Sequence, residues 1–356
     1  MASATIATKL YCLEPADPPR LALRETAVPA PGSGQVLVRV AAAAVNPIDV
    51  KRATGYGQRL LTLKGAGRFP LVLGNDFAGV VEAVGPGVRR LQPGDPVFGL
   101  LPTGKGGGTH GTHALADARW VRHAPSRCPA EMLAVLPYTF TTLWQALRAA
   151  GLTQDNARDR KILVHGASGG LGLLALQVLN RWGASATAVC GTDNIDLCRS
   201  FGAAELWDRK RRDLAALPAH FDAGLNFGAW QDEETLIGRL KRGALGHATT
   251  VHPLLANFDR YGWIGGALSS RRDFRRVRAL ATAKGALYGW TVFRPEEPAL
   301  DALHELLSDN ALRLPIGIQA PLPEARLAFD HVARGATGRA VLTVHSQEQT
   351  WTGHRQ

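Results

Sequence analysis

Apolar positions in the first third of the chain fall in short runs separated by Gly/Pro turns, and no helical period persists there. Segments 36–45 (VLVRVAAAAV), 77–85 (FAGVVEAVG) and 95–100 (DPVFGL) read as strands, bounded by turns such as Pro31-Gly32, Gly85-Pro86-Gly87 and Pro93-Gly94. From about Met132 the pattern changes to alternating strands and helices. Strands are expected over 185–190, 204–207, 221–227, 244–251 and 285–292. Between them fall a helix reaching Phe201, a helix over 231–240 and an arginine-rich helical segment. Such alternation predicts a parallel sheet with right-handed crossovers and a ligand at the carboxyl ends of its strands. After a helix over 298–308 the chain returns to short strands and a helix, ending in a strand over 340–344, so it is expected to rejoin its first domain. No internal repeat or low-complexity tract interrupts this order.

The segment 161–176 (KILVHGASGGLGLLAL) carries the most chemistry. The apolar run Ile162–Val164 ends in a tight glycine loop, and a helix-period pattern follows at once. A dinucleotide pyrophosphate sits on a helix N-terminus in this arrangement. Ala167, Gly169 and Gly172 occupy the three glycine positions of GxGxxG, with Ser168, Gly170 and Leu171 completing the cradle. A bare glycine triplet is weak evidence; one between a strand and a helix is much stronger. The alternative is a glycine-rich turn that holds nothing.

At 356 residues two domains are expected, with 46% hydrophobic and 20% charged residues as in ordinary globular proteins. Cys12, Cys128, Cys190 and Cys198 form no CxxC pair, which argues against a disulfide scaffold and a thiolate zinc cluster. The formal charge is +11, and basic residues cluster at Arg209-Lys210-Arg211-Arg212 and from Arg271 to Arg278. Clustered cations can neutralise nucleic-acid phosphates. Without an aromatic RNA motif or a recognition helix, a solvated surface attracting an anionic cofactor is the better reading. The first residues have no signal-like apolar core, and no apolar run is long enough to span a bilayer. A soluble cytoplasmic protein is therefore expected.

With a β-rich start, a nucleotide domain and a returning C-terminus in place, the chain resembles the medium-chain dehydrogenase/reductase superfamily. The matching segments are 44–57 (AVNPIDVKRATGYG), 70–99, 108–117 (GTHGTHALAD), 136–147 (LPYTFTTLWQAL) and 165–172 (HGASGGLG). They are similar to the zinc-independent quinone oxidoreductase branch. The resemblance implies an α/β fold: a GroES-like β-rich catalytic domain over 1–131, completed by 311–345, and a Rossmann NADP-binding domain over 132–310. A frayed tail is expected over 346–356.

Zinc-dependent members of that superfamily hold their catalytic metal with Cys at the position of Asn46 and His at the position of Asn75. An amide oxygen is a poor zinc ligand beside thiolate or imidazole, so no metal is expected. His110 and His113 lie at a strand entry and read as surface or packing residues. Without a Lewis acid, alcohol–ketone interconversion is difficult, whereas hydride addition to a quinone or enone needs only hydrogen bonds and a proton route. The resemblance implies Tyr56 as a hydrogen-bond donor to the substrate carbonyl and Asn46 as a residue orienting substrate or nicotinamide ribose. Packing and turn capping are their alternatives, and Asp49 reads as fixing the turn. Cofactor contacts are implied at Thr141, Asn226, Gly228, Thr250, Val251, His252, Trp290, Thr291 and Val292.

The strand over 185–190 ends in Cys190-Gly191-Thr192, without the acid that grips both ribose hydroxyls of NAD, although Asp193 follows closely. NADP(H) is therefore expected, with Thr192, Asn194 and Arg209 toward the 2′-phosphate. The function expected is NADPH-dependent hydride transfer to a quinone or α,β-unsaturated carbonyl. The alternatives are an enoyl-thioester reductase and a nucleotide- or RNA-binding protein with little activity. A homodimer is expected through the apolar edge segment 286–293.

Overall fold

The computed structural model describes residues 5–104, 107–309 and 312–344. The tail expected over 346–356 lies outside them, as do positions 311 and 345. In chain order, β1 (Thr5–Cys12), β2 (Leu21–Val28) and β3 (Gln35–Val45) precede two short helices, α1 (Pro47–Ala53) and α2 (Gln58–Leu63). Then come β4 (Leu71–Val72), β5 (Asp76–Val84), β6 (Pro96–Leu100), β7 (His113–Asp117) and β8 (Val121–His123). Helices α3 (Ala130–Ala134), α4 (Pro137–Ala149) and α5 (Gln154–Ala157) lead into β9 (Lys161–His165). The alternating stretch is α6 (Gly170–Arg181), β10 (Ser185–Cys190), α7 (Ile195–Ser200), β11 (Glu205–Asp208), β12 (Ala223–Asn226), α8 (Glu233–Gly238), β13 (Gly246–Thr249), α9 (Leu254–Ala283) and β14 (Leu287–Trp290). The chain closes with α10 (Glu297–Ser308), β15 (Ile316–Pro321), α11 (Ala325–Ala333) and β16 (Arg339–Thr343).

The chain divides into two compact units, Met1–Tyr138 with Arg294–Gln356, and Thr139–Phe293. Segments 132–138 and 294–310, expected with the nucleotide domain, thus count with the first unit. One physical reason is that Arg122 on β8 holds Asp301 on α10 at 2.7 Å.

In the first unit β3 is the spine. It pairs antiparallel with β5, β7 and β16, which is why its residues from Val36 on are nearly all buried and its sequence lacks alternation. The pairing of Ala340–Thr343 with Val45–Ala42 brings the returning chain back onto this sheet. A separate three-stranded sheet runs β2-β1-β4. Helices α1 and α2 were not expected, since seven and six residues are too few to establish a helical period.

In the second unit six parallel strands lie in the order β11-β10-β9-β12-β13-β14. The winding direction reverses at β9, between β10 and β12, and this switch point is where an open α/β sheet leaves a crevice. Strands β12, β13 and β14 stop one to two residues short of the expected ends, because the backbone turns away at the crevice. The core beneath the sheet gathers Leu163, Val189, Phe221, Leu236, Ile237 and Val277, each at most 1% exposed. Burial of one such side chain contributes about 1.5–3 kcal/mol.

Candidate functional site

In the second unit the site begins where β9 ends. Gly166 has φ 73°, and a Cβ there would stand 2.7 Å from the Gly228 nitrogen. Gly228 in turn has no room for a side chain, since its Cβ would lie 2.3 Å from the His165 ring. These two glycines let the ends of β9 and β12 close on each other. Ala167 is fully buried, and Gly172 packs on it so tightly that a Cβ at 172 would lie 2.4 Å from the Ala167 Cα. Gly169 differs. It caps α6 with φ −78° and ψ 170°, and the nearest atom to a Cβ there is 3.5 Å away. Gly169 is therefore exposed over a helix N-terminus whose first N–H groups have no acceptor within the helix. Ser168, Gly170 and Leu171, half-buried, complete the loop.

The loop after β12 is held by Asn226. Its Nδ2 donates to the Ala229 carbonyl at 2.8 Å and to Glu233 at 2.6 Å, while its Oδ1 accepts from the Gly228 N–H at 3.0 Å and meets His165 Nδ1 at 2.9 Å. The amide is saturated inside the protein, so Asn226 shapes the crevice rather than reaching into it. Glu233, 1% exposed, also accepts from the Tyr288 hydroxyl at 3.0 Å and lies 3.3 Å from His247 Nε2. Burial raises its pKa, but His247, Asn226 and Tyr288 together hold it below the usual carboxylate value. The indole of Trp290 donates to the Tyr288 hydroxyl at 2.8 Å, and His252 stacks on Trp290 at 4.8 Å. Burial lowers the His252 pKa, so the ring is neutral near pH 7. With Nε2 3.1 Å from the Thr291 carbonyl, the proton is assigned to Nε2 and the lone pair to Nδ1.

Thr291 Oγ1 and His252 Nδ1 at this end of the sheet, and Thr141 Oγ1 on α4, are buried without a hydrogen-bond partner among the described residues. Buried polar groups are rarely left so, and unpaired ones at strand ends suit a polar ligand. Thr250 and Val251 directly precede His252, and Val292, 50% exposed, directly follows Thr291. At the other side of the switch point, Thr192 donates its hydroxyl to Asp208 at 2.7 Å, and Asp193 is paired with Lys210 at 2.6 Å. Thr192 and Asn194 form a single 3₁₀ turn. Arg209 is exposed and lies close enough to depress the pKa of buried His165, although burial is the larger cause.

In the first unit Asn46 is also consumed. Its Nδ2 donates to Asp76 at 2.9 Å and its Oδ1 accepts from Arg339. Its backbone N–H donates to Asp49 at 2.9 Å, and the other Asp49 oxygen accepts from the Gly74 N–H at 2.9 Å. Asp49 thus ties the start of α1 to the segment before β5. Asp76 also accepts from the Tyr138 N–H; burial is the main reason its pKa is pushed up to about 7. Asn75 donates to the Leu101 carbonyl at 2.9 Å and to Thr103 at 3.1 Å, leaving Oδ1 buried without a partner among the described residues. His110 and His113 point to separate partners, the Ala44 carbonyl at 2.9 Å and Glu82 at 3.0 Å. Among the described residues no cluster of His, Cys, Asp or Glu could hold a metal ion. Tyr56 is half-buried, with the Lys51 ammonium 5.4 Å from its ring centre.

Sequence reasoning missed Gly166, Asp208, Glu233, His247 and Tyr288. Glu233 had a readable signal: it sits at i of an i, i+3, i+4, i+7 buried stripe with Leu236, Ile237 and Leu240.

A GroES-like β unit completed by the returning chain, joined to a doubly wound nucleotide sheet with its glycine loop at the switch point, defines a class of two-domain oxidoreductases. The chain belongs to the medium-chain dehydrogenase/reductase superfamily, in its quinone oxidoreductase branch. Residues 32–126 match the alcohol dehydrogenase GroES-like domain family. The chain is 35% identical over 326 residues to the mouse protein "NAD(P)H oxidoreductase RTN4IP1, mitochondrial", covering 87% of this chain and 82% of that one. It is 36% identical over 195 residues to the spinach "Quinone-oxidoreductase homolog, chloroplastic", covering 54% of this chain and 58% of that one. The quinone oxidoreductase of Coxiella burnetii shares the fold with a TM-score of 0.80 at 23% identity, covering 96% of this chain and 100% of that one. The expectation of a cytoplasmic protein does not stand, because the mouse, human and bovine relatives are mitochondrial by name. Among the described residues no helix is long and apolar enough to cross a membrane.

Proposed function

We propose that this oxidoreductase transfers hydride from NADPH to a quinone or α,β-unsaturated carbonyl without zinc. The observation that carries the reading is the open N-terminus of α6 at Gly169, flanked by the closed glycines 166, 172 and 228, which leaves room for phosphate where the backbone can approach it. The residues present fit the cofactor. Ser168, Gly169, Gly170 and Leu171 would cradle the pyrophosphate, with Ala167 and Gly172 fixing the helix behind them. Thr141, Thr250, Val251, His252, Trp290, Thr291 and Val292 would border the nicotinamide half, with the buried Thr141, Thr291 and His252 atoms left unpartnered among the described residues open to bond it. Arg209 would take the 2′-phosphate, next to the turn carrying Thr192 and Asn194. When bound, NADPH supplies the hydride. Its relatives' names, which specify NAD(P)H, agree with this assignment.

Asn226 and Asn46 act as positioning residues, because both amides are committed within the protein. At the position of a catalytic thiolate Asn46 offers Asp76 and Arg339 a bridge, a chemistry without affinity for zinc. Tyr56 donates its phenol proton in a hydrogen bond to the carbonyl oxygen that gains charge during hydride addition. A homodimer formed along β14 is part of the same reading, since this edge strand is unpaired on one side among the described residues and Leu287 is 59% exposed.

The test is NADPH oxidation against a panel of a quinone, an enone and an enoyl-CoA, before and after exhaustive chelation. Turnover of the quinone or enone that survives chelation and drops in Tyr56→Phe supports the proposal. Turnover confined to the enoyl-CoA, or lost with a stoichiometric zinc, refutes it.

A further inference from the structure

The first unit contains a cavity of about 410 Å³ between β1, β2 and the segment from Gly65 to Asn75. Tyr56 is not among its lining residues. Three cationic side chains line it, Lys9, Arg52 and Arg68, and no carboxylate among the described residues does. Lys9 lies along Gly111 and brings its ammonium to Gly107, 3.6 Å from where a Cβ on that glycine would stand. Burial lowers the Lys9 pKa. Arg52 is 6% exposed; one of its nitrogens donates to the Ala66 carbonyl at 3.2 Å and its Nε has no partner among the described residues. Asp49 is the acid that acts most on Arg52, but both Asp49 oxygens are already taken by the Asn46 and Gly74 N–H groups. The Asn75 Oδ1, also buried and unpartnered, belongs to the same lining.

Arg52 is buried, Lys9 half-buried and Arg68 exposed at the rim, and a pocket that gathers three cations with no carboxylate among its described lining residues favours an anion. The cavity is within the size range of small-molecule sites. We propose that it binds a small organic oxyanion, a carboxylate or a phosphate monoester. Its charge lies against Lys9, Arg68 and Arg52, and a hydroxyl or N–H of the same ligand donates to Asn75 Oδ1. All the residues of this pocket belong to the first unit, whereas those of the nucleotide crevice belong to the second.

The proposal is tested by calorimetric titration of the full chain with sodium phosphate and with sodium malate, at fixed ionic strength and with NADPH saturating. One saturable site is expected for at least one of the two anions. The better probe tells a phosphate from a carboxylate ligand. Affinity should fall at least tenfold in Lys9→Met and in Arg68→Met, and stay unchanged in Arg209→Ala. Lys9→Met should also melt no lower than the parent without anion, because a half-buried charge has been removed. Heats that are the same in the Lys9 and Arg68 variants, or that vanish in Arg209→Ala or under NADPH, would overturn the assignment and place the anion elsewhere.

Discussion

Two glycines three residues apart should answer substitution in opposite ways. At Gly172 a Cβ would stand 2.4–2.5 Å from the Ala167 Cα and from the Ala167 and Gly166 oxygens, all backbone atoms that cannot move aside without shifting β9. Overpacking of this kind costs about 1–3 kcal/mol, more than the roughly 1 kcal/mol a helix interior gains from Gly→Ala. For a unit of this size Gly172→Ala should lower Tm by roughly 2–8 °C. At Gly169 the backbone sits in the extended region open to any residue, and the nearest atom is at ordinary contact distance. Gly169→Val should therefore change stability by no more than about 1 kcal/mol. Its side chain would instead occupy the space over the α6 N–H groups. Loss of one or two charge-assisted bonds to the pyrophosphate, about 3 kcal/mol, weakens NADPH more than 100-fold. Circular dichroism melts and fluorescence titration with NADPH read the two effects separately. An NADPH Kd within threefold of the parent in Gly169→Val, or a parental Tm in Gly172→Ala, would refute the assignment of roles.

Arg209→Ala should weaken NADPH about tenfold, the worth of one phosphate contact of roughly 1.4 kcal/mol, and leave NADH unchanged; equal losses for both cofactors would remove Arg209 from the 2′-phosphate site. Asp76 gives a pH dependence of defined sign. Its folded pKa of about 7 lies above the ordinary 3.8, so the folded chain retains a proton that the unfolded chain has released. Its contribution is present below about pH 4 and is lost as pH rises to about 7, by up to about 4 kcal/mol. The difference in Tm between the parent and Asp76→Asn should therefore change across that window; a constant difference would mean that Asp76 stays ionised. Val292→Lys, at a position 50% exposed beside the β14 edge, should shift light scattering from dimer to monomer while NADPH binding persists. A parent that is already monomeric would end the edge-strand proposal.

The order of strands and helices was legible because the two periods, two and 3.6, follow from backbone geometry, and the glycine loop because close backbone approach tolerates few residue types. What was not legible is which polar side chains are already spent. The resemblance implies Asn46 and Asn226 as ligand contacts, yet Asn226 has its amide filled by His165, Gly228, Ala229 and Glu233, and Asn46 spends one N–H on Asp76 and its oxygen on Arg339. Hydrogen-bond saturation is a tertiary quantity, and local sequence carries no trace of it. Glu233 shows the exception, since an acid set within an apolar helical stripe can be buried only with a partner, and the stripe is visible in the residue order itself. Asp208 shows the limit in the other direction. It lies one residue beyond the strand expected over 204–207, beside a basic run that masks it, and it takes the Thr192 hydroxyl that was expected to meet phosphate. With that hydroxyl committed to a carboxylate, the proposed selectivity for a 2′-phosphate would fall to Arg209, whose charge would have to outweigh Asp208 nearby, itself kept ionised chiefly by the Thr192 bond. The preference for NADPH should therefore weaken with added salt, because an exposed cation is screened while the Thr192–Asp208 bond is not.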